Sequence, residues 1–166
     1  YRQGLLLGSG GCSSIYSGTQ LADGAPVRDR ARSEGGSQQA SVPGGALVPL
    51  ELVLLWMVSR PGFHSGVWLL DWFEVPKGFA LVTERPQRCQ DLWYFLHERR
   101  FLTEPMARGL FHQVLEAMRP CSSLSVLHSH IKAENVLVDL AMGKAKLIDF
   151  GCGMILQDTF YTRMSG

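Results

Sequence analysis

The chain has 166 residues, one ordinary domain's worth, with 46% hydrophobic and 19% charged residues and a net charge of +1. That balance supplies apolar material for a core but no polyanion-binding surface, so nucleic acid is not an expected partner. Cys12, Cys89, Cys121 and Cys152 form no Cys-x-x-Cys pair, there is no signal-like N-terminal segment and no apolar run of membrane-spanning length, which together predict a protein of a reducing compartment without zinc, disulfides or a membrane.

Leu5 to Gly18 reads as strand, glycine turn, strand. Gly8 and Gly10 would let main-chain N–H groups approach phosphate oxygens, and a plain hairpin turn would use them equally well. The charges at Arg28, Asp29 and Arg30 sit poorly in a half-buried strand, and Ser33 to Gly45, rich in glycine and serine, predicts a flexible loop. No lysine precedes Lys77. Leu47 to Val58 predicts a helix with Pro49 in its first turn and Glu51 as its one acid, either solvated or paired with a basic strand residue.

Val67 to Phe73 and Phe79 to Thr83 predict two strands joined by a turn at Glu74 to Gly78, and Pro86 ends the second. Asp91 to Glu98 predicts a short helix. Thr103 serves as N-cap of a longer one, with Pro105 in its first turn and Met106, Leu110, Phe111, Val114, Leu115 and Met118 at helical spacing; Pro120 is expected to end it. Val136 to Val138 and Ala145 to Ile148 predict a hairpin around Gly143 that carries Lys132, Asn135 and Asp149 at its ends.

The order His128, Lys132, Asn135, Asp149-Phe150-Gly151 has the spacing of the protein-kinase catalytic loop and metal motif, and with Gly8-Ser9-Gly10 upstream the whole chain resembles a protein kinase. Glu84-Arg85-Pro86, the run from Leu69 to Glu74 and Val48-Pro49-Leu50-Glu51 resemble the Pim family of serine/threonine kinases. The resemblance implies an α+β, bilobal fold: a β-rich N-lobe with one helix over 1–84, a hinge at 85–90, and an incomplete helical C-lobe over 91–166 that stops in the activation segment. It implies ATP and Mg²⁺ as cofactors, protein substrates, and a monomer of the cytoplasm or nucleus.

Carried over residue by residue, Leu7, Gly8, Gly10 and Ile15 would cover the nucleotide. The resemblance places a third strand at residues 25 to 30, in which Arg30 takes the lysine position, with Glu51 as its partner. Thr83 would be the gatekeeper, the Glu84 carbonyl would face the adenine amine, and Asp91 would lie near the ribose. Lys132 would steady the γ-phosphate, and Asn135 with Asp149 would hold the metal. Leu55, His128 and Phe150 would belong to the regulatory hydrophobic spine.

The departures fall on the transfer machinery. His130 stands where the family has its catalytic Asp, Arg30 replaces the lysine, Arg28 a small residue above the adenine, Ser13 the third loop glycine and Cys12 the tip aromatic. Imidazole is bulkier than a carboxylate and positive when protonated, so His130 reads as a broken base. Of the acids that would read basic substrates, Glu134 remains while Ala133 and Tyr94 replace two others. Two functions stay open: an impaired phosphotransferase, or a pseudokinase scaffold or non-functional fragment with weak or no nucleotide binding. A metal shared by His128 and His130 is a third idea, disfavoured because no third ligand is spaced to join them.

Overall fold

A computed structural model describes residues 1–10, 13–33, 38–59, 66–76 and 78–157. The expectations for Cys12, for Lys77 within its turn, and for the activation segment from 158 onward lie outside the described residues. The chain divides into two compact units, Tyr1–Val53 with Trp68–Gln87, and Leu54–Val67 with Arg88–Gly166.

The first unit is built on an antiparallel sheet. Strands β1 (Arg2–Gly10), β2 (Ser13–Thr19) and β3 (Pro26–Ser33) follow one another; β4 (Gln39–Ser41) and β5 (Leu47–Pro49) form a separate small hairpin. Helix α1 (Leu50–Val58) begins in this unit and its residues from Leu54 onward belong to the second; β6 (Leu69–Val75) and β7 (Gly78–Glu84) follow, giving a five-stranded order β1-β2-β3-β7-β6. Strand β3 lies at the middle, with Arg30 opposite Ile15 on one side and Leu81 on the other.

Two expectations are corrected here. Ser33 belongs to β3 and Gln39–Ser41 is a strand, so the stretch expected as a flexible loop is partly ordered. Leu47–Pro49 is also strand, and the helix starts at Leu50, just past the proline. The cause is pairing: Ala40 lies opposite Val48 and the Leu50 amide donates to the Gln38 carbonyl, so backbone groups that a helical first turn would leave unpaired are satisfied across the hairpin.

The second unit packs helices against a small sheet. Strand β8 (Cys89–Asp91) leads into α2 (Leu92–Arg99), which Asp91 caps by accepting the Tyr94 amide at 2.9 Å. Helix α3 (Glu104–Ser123) follows, then β9 (Val126–Leu127), a 3₁₀ turn at Ala133–Asn135, β10 (Val136–Asp139), β11 (Lys144–Leu147) and β12 (Met154–Ile155). Strands β10 and β11 make the expected hairpin, closed by Gly143 at a left-handed φ of 62°; Ile148 falls just beyond it. Strand β8 adds to the other edge of β10, and β12 pairs with β9.

The core of this unit joins Leu110 and Ala117 of α3 and Phe95 of α2 to Val136, Val138, Ala145 and Leu147 of the hairpin. Gln113 ties helix to hairpin with both ends of its amide, donating to the Gly143 carbonyl at 3.0 Å and accepting the Ala145 amide at 2.8 Å. The apolar face of α3 is narrower than its sequence suggests, because Phe111 and Leu115 are exposed. The helix also continues three residues past Pro120, although the ring removes a backbone donor there. Thr103 sits at the N-cap with extended φ and ψ but makes no side-chain cap bond.

Candidate functional site

In the first unit, alternation along β3 puts Arg28, Arg30 and Arg32 on one face of the strand. Glu51 of α1 meets two of them. Arg30 Nη1 lies 2.5 Å from Glu51 Oε1, and Arg32 Nη1 pairs with Glu51 Oε2. The Glu51 side chain is only 2% exposed, so the reading of a solvated helix glutamate fails and the ion pair with Arg30 holds. Arg32 went unnoticed in the sequence, although the same two-residue alternation that selects Arg30 would have found it.

Gly8 and Gly10 lie near the end of β1, with Gly10 opposite Ser13 of β2. Neither has a positive φ, and a β-carbon built on either would meet no atom of the described residues within 4 Å. Packing among the described residues therefore does not demand glycine at these positions, and a close-approaching ligand could use the bare backbone. Ile15 lies opposite Gly8 in the same hairpin, and Leu7 is 48% exposed. Thr83 is buried, and the Glu84 carboxylate accepts the Trp68 amide at 3.0 Å.

In the second unit the loop after β9 is organised by His128, which is fully buried. Its Nε2 donates to the Ile148 carbonyl at 3.0 Å, and its Nδ1 accepts the His130 amide at 3.3 Å. Those two roles fit the neutral imidazole. Burial pushes its pKa below the ordinary value, against smaller upward pulls from the Ile148 carbonyl and Asp149, with His130 adding to the downward shift. With both ring nitrogens engaged, His128 is a structural residue of the loop. Among the described residues no group of three His, Cys, Asp or Glu stands ready for a metal, so the paired-histidine site gains no support.

His130 is held by its backbone from both directions: its amide reaches His128 and its carbonyl accepts Asn135 Nδ2 at 2.9 Å. Asn135, buried at 5% exposure, also accepts the Ile148 amide on its backbone carbonyl at 3.0 Å. The amide nitrogen of Asn135 is thereby committed and its side-chain oxygen is the atom left for a cation. Asp149 sits in the left-handed region at φ 66° and turns its Oδ1 back to the Gly151 amide at 3.2 Å. Ser129 has a comparable φ of 61°. Such conformations cost about 1–2 kcal/mol apiece in residues with a β-carbon, and they gather where a loop is held for a purpose.

Phe150 is buried against His128, ring centres 4.6 Å apart, and Leu55 is buried in the same unit. Lys132 is exposed at the start of the 3₁₀ turn that carries Asn135. The structure thus brings His128, His130, Asn135, Ile148 and Phe150 into one connected network, with Lys132 and Asp149 at its two ends. Arg30 and Glu51 form their own cluster in the first unit, while Asp91 is committed to capping α2. Cys121 is a buried thiol pushed up to about 11, consistent with packing and no reactivity.

Comparison with known proteins matches residues 1–166 to the protein kinase domain family. Serine/threonine-protein kinase pim-2 of Danio rerio is 43% identical over all of this chain and 56% of its own length. Serine/threonine-protein kinase prk-2 of Caenorhabditis elegans is 33% identical over all of this chain and 37% of its own. Sperm motility kinase 2B of Mus musculus is 32% identical over 89% of this chain and 28% of its own. The chain therefore spans about half or less of the length of these relatives.

Proposed function

The chain belongs to the protein kinase domain family, and from that premise we propose that it is a Pim-like protein that binds ATP with Mg²⁺ and is impaired in phosphoryl transfer to serine and threonine of protein substrates. The observation that carries this reading is His130. Its amide and carbonyl are tied into the loop, so the departure is confined to the side chain, an imidazole where the reaction calls for a carboxylate. A neutral imidazole could still accept a proton, but its two-atom edge replaces a group that both accepts the hydroxyl hydrogen bond and carries negative charge.

The nucleotide half of the reading rests on what remains. Asn135 Oδ1 and the Asp149 carboxylate suit a hard cation, which when bound would neutralise charge on the transferring phosphoryl group. Lys132 would steady the outermost phosphate as a point charge, and the open backbone at Gly8 and Gly10 would lie over the phosphates with Leu7 and Ile15 beside the base. Glu84 would offer its carbonyl to the adenine, Arg30 would stand in for the lysine, and Asp91 would border the ribose. The same reading sets a hinge at 85–90 between lobes over 1–84 and 91–166, and makes the protein a monomer of the cytoplasm or nucleus. No described helix is long and apolar enough to cross a membrane.

A pseudokinase scaffold or non-functional fragment with weak or no nucleotide binding is the second reading, and the concentration of departures on the transfer machinery, His130 for the carboxylate and Arg30 for the lysine, favours it. Calorimetry of ATP binding with and without Mg²⁺ tests both. A Mg²⁺-dependent signal lost in Asp149→Asn supports the nucleotide site; a folded sample with no signal sinks it. His130→Asp should then raise phosphotransfer by at least tenfold, and no gain would show that the loop histidine is not what limits the reaction.

A further inference from the structure

We propose that Gln3 and Asp29 form a pin that crosses strand β2 and holds β1, the strand that carries Gly8 and Gly10, in register on the sheet. Strands β1 and β3 are not neighbours, since β2 runs between them, yet Gln3 Nε2 donates to Asp29 Oδ2 at 2.9 Å. Gly18 leaves the way clear. It stands opposite Gln3 on one side and Val27 on the other, and a β-carbon on it would come 2.8 Å from Val27 Cγ2. Strand β1 cannot take its register from burial, because every residue in it but Gly8 is exposed. Its ladder to β2 also shifts between Gln3 and Leu6 and again between Leu6 and Gly8. A polar bond at the start of the strand supplies what an apolar face would otherwise specify.

Asp29 makes the pin obligatory. Residues opposite one another share a face of the sheet, which puts Asp29 with Tyr16 of β2, Val82 of β7 and Asp71 of β6, and beside Val27. Val27 and Val82 are buried, so the carboxylate sits on an apolar surface. Its Oδ1 is buried without a hydrogen-bond partner among the described residues, which leaves Gln3 as its donor. The other acids of that face are engaged, Glu84 with the Trp68 amide and Asp71 with the Trp72 amide. Tyr16 and Tyr1, whose ring meets Phe73 of β6, are its further titratable groups, while Arg28, Arg30 and Arg32 lie on the opposite face. Burial pushes the Asp29 pKa up, and the Gln3 bond draws it back down. A charged Asp29 therefore needs Gln3 and a protonated one does not, so the pin is strongest above the folded pKa and slackens as pH falls through it.

Hydrogen exchange of the full chain at pH 7.5 tests the pin. Gln3→Met or Asp29→Val should each speed exchange of the β1 amides at least about tenfold relative to those of β7, and the double variant no more than either alone. Asp29→Asn keeps the acceptor and should leave β1 unchanged. Unaltered exchange in either single variant, or effects that multiply in the double, would overturn the assignment. Thermal unfolding reads the charge: Gln3→Met should lower Tm by about 4 °C at pH 7.5, by less at pH 4.5, and not at all in the Asp29→Val background. A loss equal at both pH values, or one that persists in that background, refutes a carboxylate dependent on Gln3. Only the consequence for a ligand rests on the nucleotide reading above: Gln3→Met should weaken Mg·ATP binding several-fold. If the unsubstituted chain binds no ATP, that reading fails alone, while exchange and unfolding still decide the pin.

Discussion

Replacing His128 with leucine keeps most of the volume and removes two hydrogen bonds at the centre of the loop. The Ile148 carbonyl would lose the Nε2 donor at 3.0 Å, and the His130 amide the Nδ1 acceptor at 3.3 Å. An unpaired buried polar group costs about 1–3 kcal/mol, and the longer bond belongs at the low end, so a total near 3 kcal/mol is expected at pH 7.5. For a chain of this size that is roughly 6–12 °C in Tm. The pH dependence gives a sharper check. His128 is held neutral with a lowered folded pKa, so below the unfolded value of about 6.5 the unfolded state binds the extra proton and the native protein loses stability as pH falls.

The leucine variant lacks that penalty, so its deficit should shrink between pH 7.5 and 5.5 by up to about 1.4 kcal/mol. Urea unfolding at pH 7.5, 6.5 and 5.5, followed by tryptophan fluorescence, reads both quantities. A deficit that is constant or grows on acidification would refute the picture of a neutral, doubly bonded imidazole.

Two further outcomes follow from packing. At Gly153 an added β-carbon would sit 2.7 Å from Leu54 Cδ1 and 3.0 Å from the carbonyl oxygens of Leu127 and Phe150, so Gly153→Ala should destabilise by roughly 1–3 kcal/mol in urea unfolding. Pro120→Ala should stabilise by roughly 1–3 kcal/mol and raise helical circular dichroism slightly, because it restores a backbone donor inside α3; a loss of stability would mean the ring is packed to advantage.

The hairpin that carries the site was legible from its residues. Short apolar runs around Gly143 sufficed to place it, and the structure pairs Val136 with Leu147 and Asp139 with Lys144 as that reading requires. The N-terminal hairpin was legible in the same way, whereas the third strand, charged at Arg28, Asp29 and Arg30, was expected only from the family resemblance. Pro49 and Pro120 misled. Each was read by its local rule, as a helix starter and a helix stopper, but cross-strand bonds claimed the residues around Pro49, and packing of Ala117 and Cys121 held α3 together across Pro120. Phe111 and Leu115 fall at the helical spacing of the apolar positions of α3 yet are exposed, and spacing cannot distinguish a wide apolar face from a narrow one with exposed neighbours.

By itself the sequence determined the elements and the spacing of the site motifs, because turn chemistry, strand alternation and helical period are written within a few residues of one another. Tertiary structure decided the rest: that Arg32 shares Glu51 across 19 positions, that His128 spans 20 positions to reach Ile148, and that β8 extends β10. Those contacts depend on how elements pack, and burial, which turns a surface charge into an obligatory partner, exists only once they have packed.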